Sequence, residues 1–230
     1  MNQFVTLNRD PAVERFEYLL RQSIPAHIGR FIAGEPTVFH EIVSNDLHLD
    51  IYCWAPTKHR NLWTFVTVGM SAHEMNIPAG YEYYRRTELV ATAPGHWPGL
   101  TEIQQMPQSK AKKYAWLIEA IKNTARRPFY TNSWVGIGPT TQARSTPQGK
   151  YPGSSYSGLL LSPVLSMPKE AQTLEVDGQP VHLIGLYPLF TDELRFCMRQ
   201  GFGGGSHELF HRILRRGLHE GVCQNRPWLT

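Results

Sequence analysis

The stretch Asp46–Met75, DLHLDIYCWAPTKHRNLWTFVTVGMSAHEM, decides the fold. Leu47, Leu49, Ile51 and Cys53 alternate with His48, Asp50, Tyr52 and Trp54, which is the period of a half-buried strand. Pro56 ends that strand because it has no N–H to give a ladder, and Lys58–Asn61 is polar enough to turn in water. From Leu62 to Val68 one face carries Leu62, Thr64, Val66 and Val68 and the other Trp63, Phe65 and Thr67. Neither face is polar, so this second strand is expected deep inside a sheet, up to the break at Gly69.

Outward from this pair, Asp10-Pro11 reads as the start of a helix, with Asp as cap and Pro at the first helical position. Val13, Phe16, Leu19 and Leu20 form its apolar stripe, and Pro25 is expected to end it. Strands are predicted over Thr37–Val43 and Tyr83–Ala93. Ser109–Arg127 has the clearest helical period in the chain, with Pro128 as its expected stop. Trp116 falls on its polar side, which makes it either a contact residue or the edge of a wide stripe covering a loop. Ser133–Thr140 and Gly158–Leu165 read as further strands, and residues 141–157 as a long surface loop that is either mobile or a flap over a site. Asp177-Gly178 joins Leu174–Val176 to Val181–Tyr187 in a hairpin, with Pro180 marking an edge. Two helices follow, capped by Thr191 and Ser206, with Gly201–Gly205 as a hinge between them.

A chain of 230 residues buries roughly 70–75% of its unfolded surface and needs neither disulfides nor a metal for stability. Cys53, Cys197 and Cys223 are isolated, no basic leader with an apolar core opens the chain, and no run approaches a membrane span. These features point to a reduced, cytoplasmic protein without a membrane segment. The net charge is +4, but the basic pairs are scattered among glutamates rather than gathered in a stripe, which argues against nucleic acid as partner.

Taken in order, a set of short pieces resembles the suppressor-of-fused family. They are Leu49–Tyr52 with Pro56-Thr57, Trp63–Ser71 (WTFVTVGMS), Met75 with Pro78, Glu88-Leu89, and Pro94 with Trp97-Pro98. After them come Arg126-Arg127-Pro128, Trp134–Gly138 (WVGIG), Gly158–Pro163 and Leu183–Leu194. No single piece is specific, but their order is kept from about residue 35 to 215. The resemblance implies a non-catalytic α+β domain that binds protein. Animal members of the family carry a second, C-terminal domain and hold a transcription-factor peptide as an added strand between the two. This chain resembles the N-terminal type alone, like stand-alone bacterial members, many of which are thought to be immunity proteins that neutralise toxins. Where the family often has histidine after WVGIG, this chain has Pro139, so peptide contacts at that position do not carry over directly.

A competing chemistry is written in His207-Glu208-Leu209-Phe210-His211, an H-E-x-x-H match that would hold zinc through His207 and His211 with Glu208 activating water. The extended form of that motif is absent, since Leu214 stands where its glycine would be, and only His219 and Glu220 follow as ligand types. Arg215, one turn beyond His211, opposes a second cation. Asp50 and His48 share a strand face as an acid–base pair or a local ion pair, and Cys53 reads as a small core residue.

The expectation is therefore a single α+β domain over residues 1–230, with a largely antiparallel mixed sheet flanked by helices. Its function would be stoichiometric binding of a protein partner, a toxin or a regulatory protein, with no catalytic residue, no cofactor and no metal. The candidate partner-binding residues are Trp134, Gly136, Ile137, Gly138, Pro139 and Thr140, with His73 and Trp116. The apolar run Trp134–Thr140 is equally readable as core. The alternatives are a zinc hydrolase built on His207, Glu208 and His211, and a signalling adaptor of the same fold.

Overall fold

The computed structural model describes residues 10–40, 47–138, 140–142, 149–200, 204–223, 226–227 and 229. In chain order the elements are α1 (Pro11–Ile28), β1 (Thr37–Phe39), β2 (Asp50–Trp54), β3 (Leu62–Val68), β4 (Thr87–Pro94), α2 (Leu100–Gln105) and α3 (Gln108–Thr131). They continue with β5 (Thr140–Gln142), β6 (Tyr156–Pro163), β7 (Thr173–Val176), β8 (Gln179–Phe190), α4 (Thr191–Arg199) and α5 (Gly204–Arg215).

The eight strands among the described residues belong to one sheet, in the order β1-β2-β3-β4-β8-β6-β5, with β7 paired to the start of β8. β1 to β4 run as an antiparallel meander in which Tyr52 lies opposite Val66 and Val66 opposite Val90. Among the described strands the β4–β8 pairing is parallel and the others are antiparallel, so the sheet is mixed and largely antiparallel as expected. β3 lies between β2 and β4, and its last five residues are buried.

Side-chain alternation sends Leu49, Ile51, Cys53, Phe65, Leu89 and Ala91 to a core shared with Leu117 and Ile121 of α3. Tyr52, Trp54, Val66, Val68 and Val90 go to the opposite face, where Phe16, Leu20 and Ile24 of α1 cover them. Leu160, Tyr187 and Leu189 bury against Leu194, Leu209 and Ile213 of α4 and α5. Because helices cover both faces, β2 is buried throughout rather than half-buried.

Both proline stops are displaced. α1 continues through Pro25 to Ile28, and α3 through Pro128 to Thr131. Proline inside the last helical turns removes one N–H bond and keeps a helical φ, and the backbone recovers part of the loss. Gly29 N–H donates to Pro25 O at 2.8 Å, while Asn132, at φ 48, closes α3 and Ser133 N–H donates to Pro128 O at 2.9 Å.

Other boundaries also move. β1 ends at Phe39, with residues 41–43 outside the described residues, and Glu82–Tyr84 is a 3-10 turn, so β4 begins only at Thr87. Ser133–Gly138 is irregular, β5 occupies part of the expected 141–157 loop, and residues 143–148 of that loop lie outside the described residues. Thr191 and Ser206 lie inside their helices, and only the last two glycines of the expected Gly201–Gly205 hinge are described, as the first residues of α5. The hairpin is as read: Asp177 at φ 49 and Gly178 at φ 73 both take the left-handed conformation that a two-residue primed turn requires.

Candidate functional site

The segment leading into β5 is a platform rather than a strand. The half-buried Trp134 ring lies 4.9 Å from Tyr81 and 6.0 Å from Tyr84 between ring centres. Gly136 is required there, because a Cβ would come within 2.3 Å of the Trp134 ring and 3.1 Å of Tyr84. Val135 points inward and its N–H donates to Met75 Sδ at 3.4 Å, which leaves Ile137 outward at 40% exposure. Gly138 turns the chain at φ +104, and its N–H donates to Leu161 O of β6 at 2.9 Å. Pro139 lies outside the described residues, and Thr140 opens β5 opposite Leu160. Among the described residues β5 pairs with β6 and stands last in the strand order, at one edge of the sheet.

The tyrosines come from the 3-10 turn before β4. Tyr81 is 48% and Tyr83 58% exposed, so the cluster around Trp134 presents rings to solvent, and Ile137, three residues on toward β5, is exposed as well. Tyr83 rests on the buried His182 ring at 3.4 Å, and Thr173 bridges them, its hydroxyl 3.2 Å from the Tyr83 hydroxyl and 3.0 Å from His182 Nδ1. Burial pushes the His182 imidazole down to about 4. The strand expected over Tyr83–Ala93 does not announce this cluster; its one local signal is the run Tyr81-Glu82-Tyr83-Tyr84, with three tyrosines among four residues just after Gly80.

His73 sits near this platform, its ring edge-on to Phe129 of α3 at 5.7 Å. Glu74 takes Arg85 at 3.2 Å and Arg86 at 3.1 Å, and Arg86 also donates to Ser71 O and Ala72 O. Trp116 is elsewhere: it is 1% exposed and stacks on Tyr151 at 5.3 Å, so it is core and not a contact residue. The helical stripe is wide, and its edge covers the loop before β6.

The H-E-x-x-H residues do meet on α5. His207 Nε2 and His211 Nε2 are 3.1 Å apart on its exposed side. Glu208 is bound by Arg212 at 2.9 Å and Arg215 at 3.3 Å, and these cations hold its carboxyl below the usual carboxylate range. Among the described residues no three His, Cys, Asp or Glu side chains group as metal ligands. The two later ligand types are engaged with the sheet: Glu220 is buried and accepts the Leu165 N–H at 2.8 Å, and His219 Nδ1 lies 3.3 Å from Thr92 Oγ1. Among the described residues, then, no third ligand groups with His207 and His211, and Glu208 is held by two guanidinium groups. Asp50 is buried with its Oδ1 3.1 Å from His48 Nε2 and 3.3 Å from His40 Nδ1, and Arg21 lies 3.6 Å from Oδ2. Burial raises the Cys53 thiol far above its ordinary value, which suits a core residue rather than a nucleophile. No helix among the described residues is long and apolar enough to cross a membrane.

The family model described as suppressor of fused protein matches residues 45–226. Among solved structures the chain is similar to a protein described as a suppressor-of-fused homologue from Neisseria gonorrhoeae FA 1090. Identity there is 14%, the TM-score 0.60, and the alignment covers 94% of this chain and 98% of that one. It is also similar to a chain of the Sufu–Fu complex, with 16% identity, a TM-score of 0.56, and 95% and 92% of the two chains covered. Drosophila Suppressor of Fused aligns at 16% identity and a TM-score of 0.59 over 91% of this chain but 51% of its own, so this chain spans about half its length. No curated protein matches. With most of its length under the family model and one fold shared with these structures, the chain belongs to the suppressor of fused family.

Proposed function

We propose that the chain acts as one non-catalytic protein-binding domain over residues 1–230, holding its partner at the surface formed by Tyr81, Tyr83, Trp134 and Ile137 beside the β5 edge. The observation that carries this reading is the cluster of exposed rings at Tyr81 and Tyr83 around Trp134, on the segment that leads through Ile137 into the edge strand β5. An extended segment can add to such an edge through its backbone, while the rings take its apolar side chains and give specificity. The solved Sufu–Fu complex supports a protein as the kind of partner.

The biological role we infer for this domain is neutralisation of a toxin by stoichiometric docking, without cofactor, nucleic acid or membrane. A regulatory adaptor role would use the same surface. The net charge of +4 favours an acidic or neutral partner face. The test is capture of partners by wild-type protein and by Tyr81→Glu and Ile137→Glu variants, with melting followed in parallel. A partner lost from both variants at unchanged melting supports the reading. A partner retained by both places the binding surface elsewhere.

A further inference from the structure

We propose that His207 and His211 form a two-imidazole site for a divalent transition metal, copper(II) ahead of zinc(II), with no hydrolytic role. The two residues are one helical turn apart on α5, and the same nitrogen of each ring, Nε2, faces the other. A metal with bonds of about 2.0–2.1 Å to each nitrogen would hold them roughly 2.9 Å apart at a right angle and about 3.4 Å apart at a tetrahedral one. The observed 3.1 Å lies between these, so a metal beside the line joining the two nitrogens could replace their hydrogen bond through rotation of the exposed rings, without moving the helix. The rings are also packed against each other, 4.3 Å between centres and 74° between planes, which limits the rotamer freedom lost on binding.

The surroundings decide the class of site. Glu208 is occupied by Arg212 and Arg215, so the protein supplies two nitrogens and leaves the remaining positions to water or to a donor from another molecule. One guanidinium more than the carboxylate neutralises lies nearby, which weakens the site without closing it, because solvent screens charges on this exposed face. Imidazole donors in an open, flexible shell follow the ordinary affinity order, which ranks copper(II) above nickel(II) and zinc(II).

The experiment uses the full chain without a histidine tag. Copper(II) chloride is titrated with calorimetry, and the bound copper is examined by electron paramagnetic resonance. The expected result is one equivalent showing hyperfine coupling to two ring nitrogens, with that equivalent lost in His207→Gln and in His211→Gln, retained in His96→Gln, and displaced only by a large excess of zinc(II). The resonance of the wild-type protein also serves as a test that needs no variant: a signal from backbone amide nitrogens or from a single imidazole overturns the site. An isotherm unchanged in the double variant overturns it equally.

Discussion

Ser71 gives the buried Oε1 of Glu88 both its N–H, at 2.9 Å, and its hydroxyl, at 2.6 Å. Gly69 N–H donates to the same oxygen at 3.0 Å, and the Thr67 hydroxyl donates to Oε2 at 2.5 Å. One carboxylate on β4 thus ties down the turn that leaves β3. Two pieces that carry the family likeness, WTFVTVGMS and Glu88-Leu89, are one structural device. It also positions the loop running on to His73 and Tyr81. Glu88→Ala would leave two buried N–H groups without an acceptor, at roughly 1–3 kcal/mol each. The expected loss is about 3 kcal/mol or more, read from urea denaturation.

The same carboxyl makes stability depend on pH. Burial, opposed by the Ser71, Thr67 and Gly69 hydrogen bonds, raises Glu88 from 4.5 to about 7. The folded state therefore binds more protons than the unfolded one between these values, and stability falls as pH rises through the window, by on the order of 3 kcal/mol. His182 acts in the opposite sense. Its shift from 6.5 to about 4 means that the unfolded state binds more protons there, so stability rises with pH over that range. Where the windows overlap the two oppose each other. Denaturation midpoints between pH 4 and 8 should show Glu88→Gln removing the decline and His182→Gln removing the rise, each as a difference from wild type.

Gly69 is the other half of the turn. It sits at φ +120, and a Cβ there would come within 2.2 Å of His48 O, a backbone atom that cannot swing aside. Gly69→Ala combines the strain of a left-handed backbone with that clash and is expected to cost at least about 2 kcal/mol. Gly178→Ala, with φ +73 but open space around it, should cost less, so the difference in midpoint isolates the clash.

The period-two stretches were legible in the sequence because the strands they form lie inside the sheet, where burial enforces the pattern: β2, β3 and the Asp177-Gly178 hairpin all follow from it. The prolines misled because their effect depends on position. Near a helix C-terminus, Pro25 and Pro128 each remove one bond from an element already packed through Ile24 and Ala125. Trp116 misled because a helical wheel does not show the loop that lands on it. The aromatic platform was only half legible. Trp134 and Gly136 drew attention through composition, whereas Tyr81 and Tyr84 join them by a tertiary contact that no local pattern announces.

The platform and the core can be told apart by one comparison. Trp116→Ala empties a fully buried site and is expected to cost about 3–5 kcal/mol, with any loss of partner binding following from loss of the fold. Ile137→Glu places a charge on a side chain that is already 40% exposed, so its denaturation midpoint should stay within about 0.5 kcal/mol of wild type. Tyr81→Ala gives up one ring contact with Trp134, worth roughly 0.5–1.5 kcal/mol. If the surface beside β5 holds the partner, Ile137→Glu and Tyr81→Ala lose binding while remaining folded. A partner that dissociates only from Trp116→Ala, in step with unfolding, would mean that the aromatic platform merely braces the turn before β4.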